Sequence, residues 1–158
     1  MAFRYSTKIF HDFLNQAVKT NLAAGVINFY SGAQPASPDA APTGTFLGRA
    51  TLSGGAWTAG APTNGLNFGT VVDGTGGAAS LDKASAEEWK FICSVAGTIG
   101  WGRFVGNPAD SGTTSTTLPR IDFSVGVTSG DALMSKVTYA IGETGVIQSF
   151  NMPVTNIS

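Results

Sequence analysis

Ionic side chains are scarce in this chain: Asp, Glu, Lys and Arg together make up 12% of its 158 residues, against about 25% in an ordinary globular domain. Net charge is −1, and no basic stripe suited to neutralising phosphates is present, so nucleic acid is not an expected partner. One cysteine, Cys93, excludes an internal disulfide framework and a multi-cysteine zinc site. No apolar run approaches the roughly 20 residues of a membrane-spanning helix, and a membrane is not expected as a partner. Met1 to Lys8 is not followed by the apolar core of a signal peptide, so synthesis in the cytosol is expected.

Apolar residues, at 42%, are present in ordinary proportion, and the length suits a single domain burying about 70% of its unfolded surface. Glycine (21 residues), serine and threonine take the place of the missing charge. A soluble monomer usually keeps a well-charged surface. A surface this neutral reads in one of two ways: a small β domain with uncharged polar loops, or a chain whose surface is covered by partner subunits.

The N-terminal segment, residues 1–25, reads as a helix. Ser6 is placed to cap it, and Ile9, Phe10, Phe13, Leu14, Ala17 and Val18 recur at helical spacing as an apolar stripe. His11 falls on the opposite, polar side. Residues 26–158 read as short strands separated by turn chemistry: Val26–Ser31, Thr45–Leu52, Leu66–Val72, Glu88–Val95, Thr98–Val105, Arg120–Val127, Leu133–Ile141 and Val146–Val154. In Glu88–Val95, Trp89, Phe91, Cys93 and Val95 alternate against Glu88, Lys90, Ile92 and Ser94, and Ala96-Gly97 reads as a hairpin-like connection to the next strand. In Arg120–Val127, Ile121, Phe123 and Val125 point inward, with Arg120, Asp122 and Ser124 outward. The expected fold is all-β, an antiparallel, jelly-roll-like β-sandwich with one N-terminal amphipathic helix, forming one globular domain. Unpaired edge strands and neutral loops in such a sandwich need covering, which favours a dimer or trimer.

Residues for catalysis are sparse. His11 is the single histidine and Cys93 lies on an apolar strand face, so neither a Ser-His-Asp nor a Cys-His arrangement can be assembled with separate base and orienting groups. Glu87 and Glu88 are adjacent in an extended segment and point opposite ways. Asp73, Asp110 and Asp131 lie in turns, without the spaced oxygens of a calcium loop. The glycines around Gly76 and Gly100 lack the Lys-Ser/Thr and the following helix of a phosphate loop, and Gly100 and Gly102 read as sites of close backbone approach. No catalytic, cofactor-binding or metal-ligating residue is assigned. Trp57 and Trp101 offer aromatic faces on which a sugar can stack, although core packing is the commoner use of tryptophan.

The stretch Val26-Ile27-Asn28-Phe29-Tyr30-Ser31-Gly32-Ala33-Gln34-Pro35-Ala36-Ser37-Pro38-Asp39-Ala40-Ala41-Pro42-Thr43-Gly44-Thr45-Phe46-Leu47 resembles the "IYSG-x-QPASADAA-x-TGT-LL" segment of small structural proteins of tailed bacteriophages, in which a short amphipathic helix also precedes it. Gly142-Glu143-Thr144-Gly145-Val146-Ile147-Gln148-Ser149-Phe150 resembles their "G-x-T-x-x-I-x-S-F" stretch. The resemblance covers both ends of the chain and implies a non-enzymatic virion component made in the host cytoplasm. The expected role is capsid decoration or cement on the shell exterior, bound to the major capsid protein or other virion subunits. A collar, tail or baseplate adaptor is the alternative within the particle, and a carbohydrate-binding module the alternative outside that class. Expected contact residues are Phe10, Phe13 and Leu14 on the helix, Tyr30 at the base of the proline-rich loop, Gln34, Pro35, Pro38 and Pro42 within it, and Trp57. Tyr30 is expected to hold the loop down through its backbone.

Overall fold

Seven strands close on themselves into a mixed barrel in the computed structural model, which describes residues 4–155. The helical segment comes first, as α1 (Thr7–Asp12), a π-helical stretch (Phe13–Val18) and α2 (Lys19–Leu22). The strands follow: β1 (Val26–Tyr30), β2 (Phe46–Leu52), β3 (Val72–Asp73), β4 (Ala78–Asp82), β5 (Trp89–Cys93), β6 (Gly97–Thr98), β7 (Trp101–Val105), β8 (Arg120–Gly126), β9 (Ala132–Met134), β10 (Thr138–Tyr139) and β11 (Thr144–Thr155). The barrel runs β11-β5-β2-β1-β7-β8-β9 and closes through β9 back onto β11. All its pairings are antiparallel except β8 with β9.

The mostly β character and the N-terminal helix agree with the sequence reading, but closure replaces the two packed layers of a jelly-roll sandwich. Strand β11 makes this possible. It pairs with β5 through Thr144–Val146, with β9 through Ile147–Phe150 and with β4 through Asn151–Thr155. A register shift between Ile147 and Ser149 changes the phase of its alternation, so Gly145 and Ile147 face inward before the shift and Phe150 after it. A closed barrel has no edge strands, so edge protection supplies no reason for oligomerisation of these seven strands.

Other strands also differ from the sequence reading. Leu66–Val72 contributes two isolated bridges, Gly25 to Leu66 and Phe68 to Lys83, and only Val72 joins a strand. Strand β4 was not legible, because Ala78-Ala79-Ser80 has little β propensity; Ala79 and Leu81 are nonetheless its buried face. Strands β5 and β7 do not form a hairpin: β7 lies between β1 and β8, and β6 pairs with β10. Val95 lies past the end of β5 and is exposed.

Aromatic rings fill the barrel. Phe150 meets Phe123 edge-on at 4.9 Å between centroids, with Trp89 at 5.7 Å and Phe68 at 5.9 Å. Phe29 packs edge-on against Phe91 at 5.1 Å. Gly102 allows the wall to close here, because a Cβ on it would sit 2.5 Å from the Phe123 ring. Close approach of another backbone occurs instead at Gly100, where a Cβ would fall 1.9 Å from the Gly32 carbonyl oxygen.

The helix docks on β3 and β4, the two strands that continue the sheet beyond β11 outside the seven-strand barrel. The Ser6 hydroxyl accepts from the Ile9 N–H at 3.4 Å, as its capping position requires. In the π-helical stretch the Lys19 N–H donates to the Leu14 carbonyl five residues back, a wider turn that rotates the apolar stripe. Leu14 and Leu22 are buried in the core, and Phe10 and Val18 pack partly against it. Ile9 and Phe13, at 53% and 51% exposure, face away. His11 remains partly exposed, and its Nδ1 lies 2.7 Å from Asp73 Oδ1, which ties the helix to β3.

Candidate functional site

The site is built on the outer wall of the barrel, where the register of β2, β1, β7 and β8 lines up side chains across four strands. Arg49 pairs with Asn28, Asn28 with Arg103, and Arg103 with Asp122, so one row crosses the wall. In the next row, Phe46 lies beside Tyr30, and Tyr30 beside Trp101. Three of the four arginines in the chain stand on this wall: Arg49, Arg103 and Arg120.

Two loops fold over it, residues 31–45 and 106–119. Arg120 and Asp122, expected to point into solvent, do leave the barrel interior but are covered by these loops. Arg103 and Asp122 form a two-point ion pair, Nε to Oδ1 at 2.6 Å and Nη2 to Oδ2 at 2.8 Å, with side chains 1% and 3% exposed. Arg120 grips Asp110 in the same manner, Nε to Oδ2 at 2.6 Å, with exposures of 1% and 8%. Planar guanidinium–carboxylate pairs of this kind combine charge with fixed orientation.

The remaining guanidinium donors hold the proline-rich loop. Arg103 Nη1 donates to the Ala40 carbonyl at 2.9 Å, and Arg120 Nη1 to the Pro38 carbonyl at 3.3 Å. Ser115 N–H donates to the Asp39 carbonyl at 2.8 Å, joining the two loops. At the neck, Ser31 N–H donates to the Thr45 carbonyl, and Thr45 N–H to the Ser31 hydroxyl, both at 3.0 Å. The loop is thus clamped by its own carbonyls, while its prolines restrict φ.

Gly44 permits that neck. Its φ is +78°, and a Cβ there would fall 1.9 Å from the Ser31 carbonyl oxygen. Gly44→Ala is expected to destabilise the chain by more than about 1 kcal/mol. Faster hydrogen exchange at the Ser31 and Thr45 amides, with the barrel amides unchanged, would place the damage at the neck.

Tyr30, just before the loop, stacks across the wall rather than onto the loop. Its ring lies parallel to Trp101 at 4.6 Å and edge-on to Phe46 at 5.7 Å. No hydrogen bond from its hydroxyl to the loop backbone occurs among the described residues, which corrects the expected role. Burial raises its pKa, opposed by the charge of Arg103. Trp101 is buried and its Nε1 has no acceptor among the described residues; buried as it is, its face is not open to a sugar.

Trp57 is half-buried. Its Nε1 donates to the Ala24 carbonyl at 2.9 Å, pinning the loop after β2 to the end of the helix, and Arg49 lies over its ring at 5.1 Å. Of the other expected contact residues, Gln34 is exposed, Pro35, Pro38 and Pro42 are half-buried in the clamped loop, and Leu14 is in the core. Leu14 therefore cannot be a contact, because no part of it reaches the surface. The helix residues and the loop do not converge on one site.

Asp110 carries a pH dependence. Burial alone would raise its pKa, but hydrogen bonds from Arg120 and from the Gly112 N–H, with the charges of Arg120 and Arg103, hold it below the ordinary value. A carboxylate depressed in the folded state contributes stability above its unfolded pKa, and loses it as pH falls through the lower folded value. The unfolding midpoint is expected to hold from neutrality to about pH 4 and to drop below that. Asp110→Asn should lower the neutral plateau and make the acid limb shallower, measured by urea unfolding across pH.

Among the described residues no group of three or more His, Cys, Asp or Glu is placed to hold a metal ion. Glu87 does not face Glu88 as a partner; it accepts from the Asn67 N–H and the Trp89 Nε1–H, both at 2.8 Å. The arginine network was missed from sequence, although the concentration of arginines on β2, β7 and β8 in a chain so poor in charge was a signal for it. No protein-family model, curated protein or solved structure matches this chain.

Proposed function

We propose that the chain is a non-enzymatic structural protein of a tailed-bacteriophage virion, acting as a decoration or cement subunit on the exterior of the shell. The observation that carries this reading is the clamped proline-rich loop, which is also the segment bearing the phage resemblance. Its backbone is ordered before any partner arrives, so little entropy remains to be lost on contact. Gln34 is presented on this rigid frame, with Phe13 exposed on the helix as a separate apolar contact. Weak contacts of this kind gain strength by repetition over a symmetric shell. The partners are the major capsid protein or other virion subunits, with a dimer or trimer as the assembling unit.

The test is electron microscopy of particles carrying a tagged copy of the chain. Density or label over the whole shell is the expected result. Label at a single vertex would move the protein to the collar, tail or baseplate. A purified chain that stays monomeric and never joins a particle would overturn the reading, and stacking of a soaked glycan on Trp57 would favour the carbohydrate-binding alternative.

A further inference from the structure

Arg49 differs from its two neighbours on the wall. Arg103 and Arg120 each hold an aspartate, whereas no carboxylate pairs with Arg49 among the described residues. Its Nε donates to Asn28 Oδ1 at 2.9 Å, and its guanidinium lies over Trp57. These two contacts fix the plane of the group, and neither terminal nitrogen has an acceptor among the described residues. The three guanidinium groups and two aspartates of the wall carry a net positive charge, and it resides at Arg49. Burial pulls the pKa of Arg49 below its ordinary value, as befits a cation with incomplete solvation.

A cleft opens on either side of this group. One, of about 210 Å³, lies between the two loops and is lined by Asn28, Tyr30, Pro42, Arg49, Arg103 and Asp110, whose carboxylate is already held by Arg120. The other, of about 440 Å³, is lined by Phe46, Trp57, Ile92 and the backbone of Gly54 and Gly55. Phe46 and Ile92 are among the exposed large apolar residues of the chain. A fixed, partly desolvated guanidinium fork matches a carboxylate, and the adjoining cleft matches an apolar side chain.

We propose that Arg49 is the anchor of a binding site for an acidic segment of a partner protein, in which a glutamate or aspartate lies next to an apolar residue. The carboxylate takes the two terminal nitrogens of Arg49, and the apolar neighbour covers Phe46 and Ile92. The assignment rests on the reading that this face meets another protein subunit, and names the chemistry of that subunit's contact.

The experiment is a titration of the full-length 15N-labelled chain with acetyl-Glu-Leu-amide, following the Arg49 Nε–H, Asn28 side-chain and Trp57 Nε1–H resonances. Saturable shifts at all three are expected, with acetyl-Gln-Leu-amide binding at least about tenfold more weakly because the charge-assisted pair is lost. Arg49→Gln should abolish the shifts at Asn28 and Trp57. Arg49→Lys, which keeps the charge but not the fork, should weaken binding about tenfold and guards against a folding defect in the first variant. Equal binding of the two peptides, unchanged binding in Arg49→Gln, or no saturable shift would overturn the proposal. Saturation by galacturonate without the peptide would overturn the assignment to a protein segment. Particle association measured in parallel separates the two readings: a silent peptide with persistent association removes this site alone. Peptide binding without association leaves the site standing and removes the virion reading.

Discussion

Arg103→Ala is expected to lower stability by about 3–5 kcal/mol, the usual result of removing one partner from a buried ion pair. The loss is large because Asp122, 3% exposed, remains behind the loops with its charge and its main partner gone. For a chain of this length, each kcal/mol corresponds to about 2–4 °C in Tm, so thermal unfolding should show a clear drop. Replacing both partners, as Arg103→Met with Asp122→Leu, should recover most of that stability, because a well-packed apolar pair often equals or exceeds a buried ion pair. The double variant still lacks the donor to the Ala40 carbonyl. Hydrogen exchange at Ser115, whose N–H bonds Asp39 in the same loop, should therefore remain fast while global stability returns. Recovery of both would show that the loop is held by its prolines, its neck and Arg120 rather than by Arg103.

Phe150→Ala should cost about 3–5 kcal/mol by transfer loss and cavity formation. Its ring touches Phe68, Trp89, Phe104 and Phe123, which come from separated parts of the chain. The rigid surrounding wall has little freedom to collapse into the space. Phe150→Leu, closer in volume, should cost much less. The comparison, measured by urea unfolding with an unchanged m-value, distinguishes a packing defect from a loss of barrel closure, which would alter m. Phe150 also ends the C-terminal stretch that resembles phage proteins, so that stretch has a structural reason to hold an aromatic residue there.

Local features were legible because they depend on a few neighbouring residues. Ser6 caps the helix, Trp89, Phe91 and Cys93 alternate inward on β5, and the prolines of residues 31–45 mark an ordered loop. The stripe on the helix was legible as a stripe, but its orientation was not. A π-helical turn depends on how Leu14 and Leu22 reach the barrel, and that contact is invisible to periodicity. In the same way Arg120 and Asp122 alternate with apolar residues as an outward face should. Alternation separates the two sides of a strand but does not reveal what lies beyond either side.

Composition and pattern by themselves determined a β-rich chain with an N-terminal helix and a surface with little charge. Tertiary structure decided that the sheet closes, because the same alternating strands suit a sandwich or a barrel until a long strand such as β11 is shared among β5, β9 and β4. It also decided that two outward-pointing arginines are buried and the third, Arg49, lies half-open between two clefts. Strand alternation is set by backbone geometry within a few residues, whereas coverage of a face is set by loops that arrive from distant sequence.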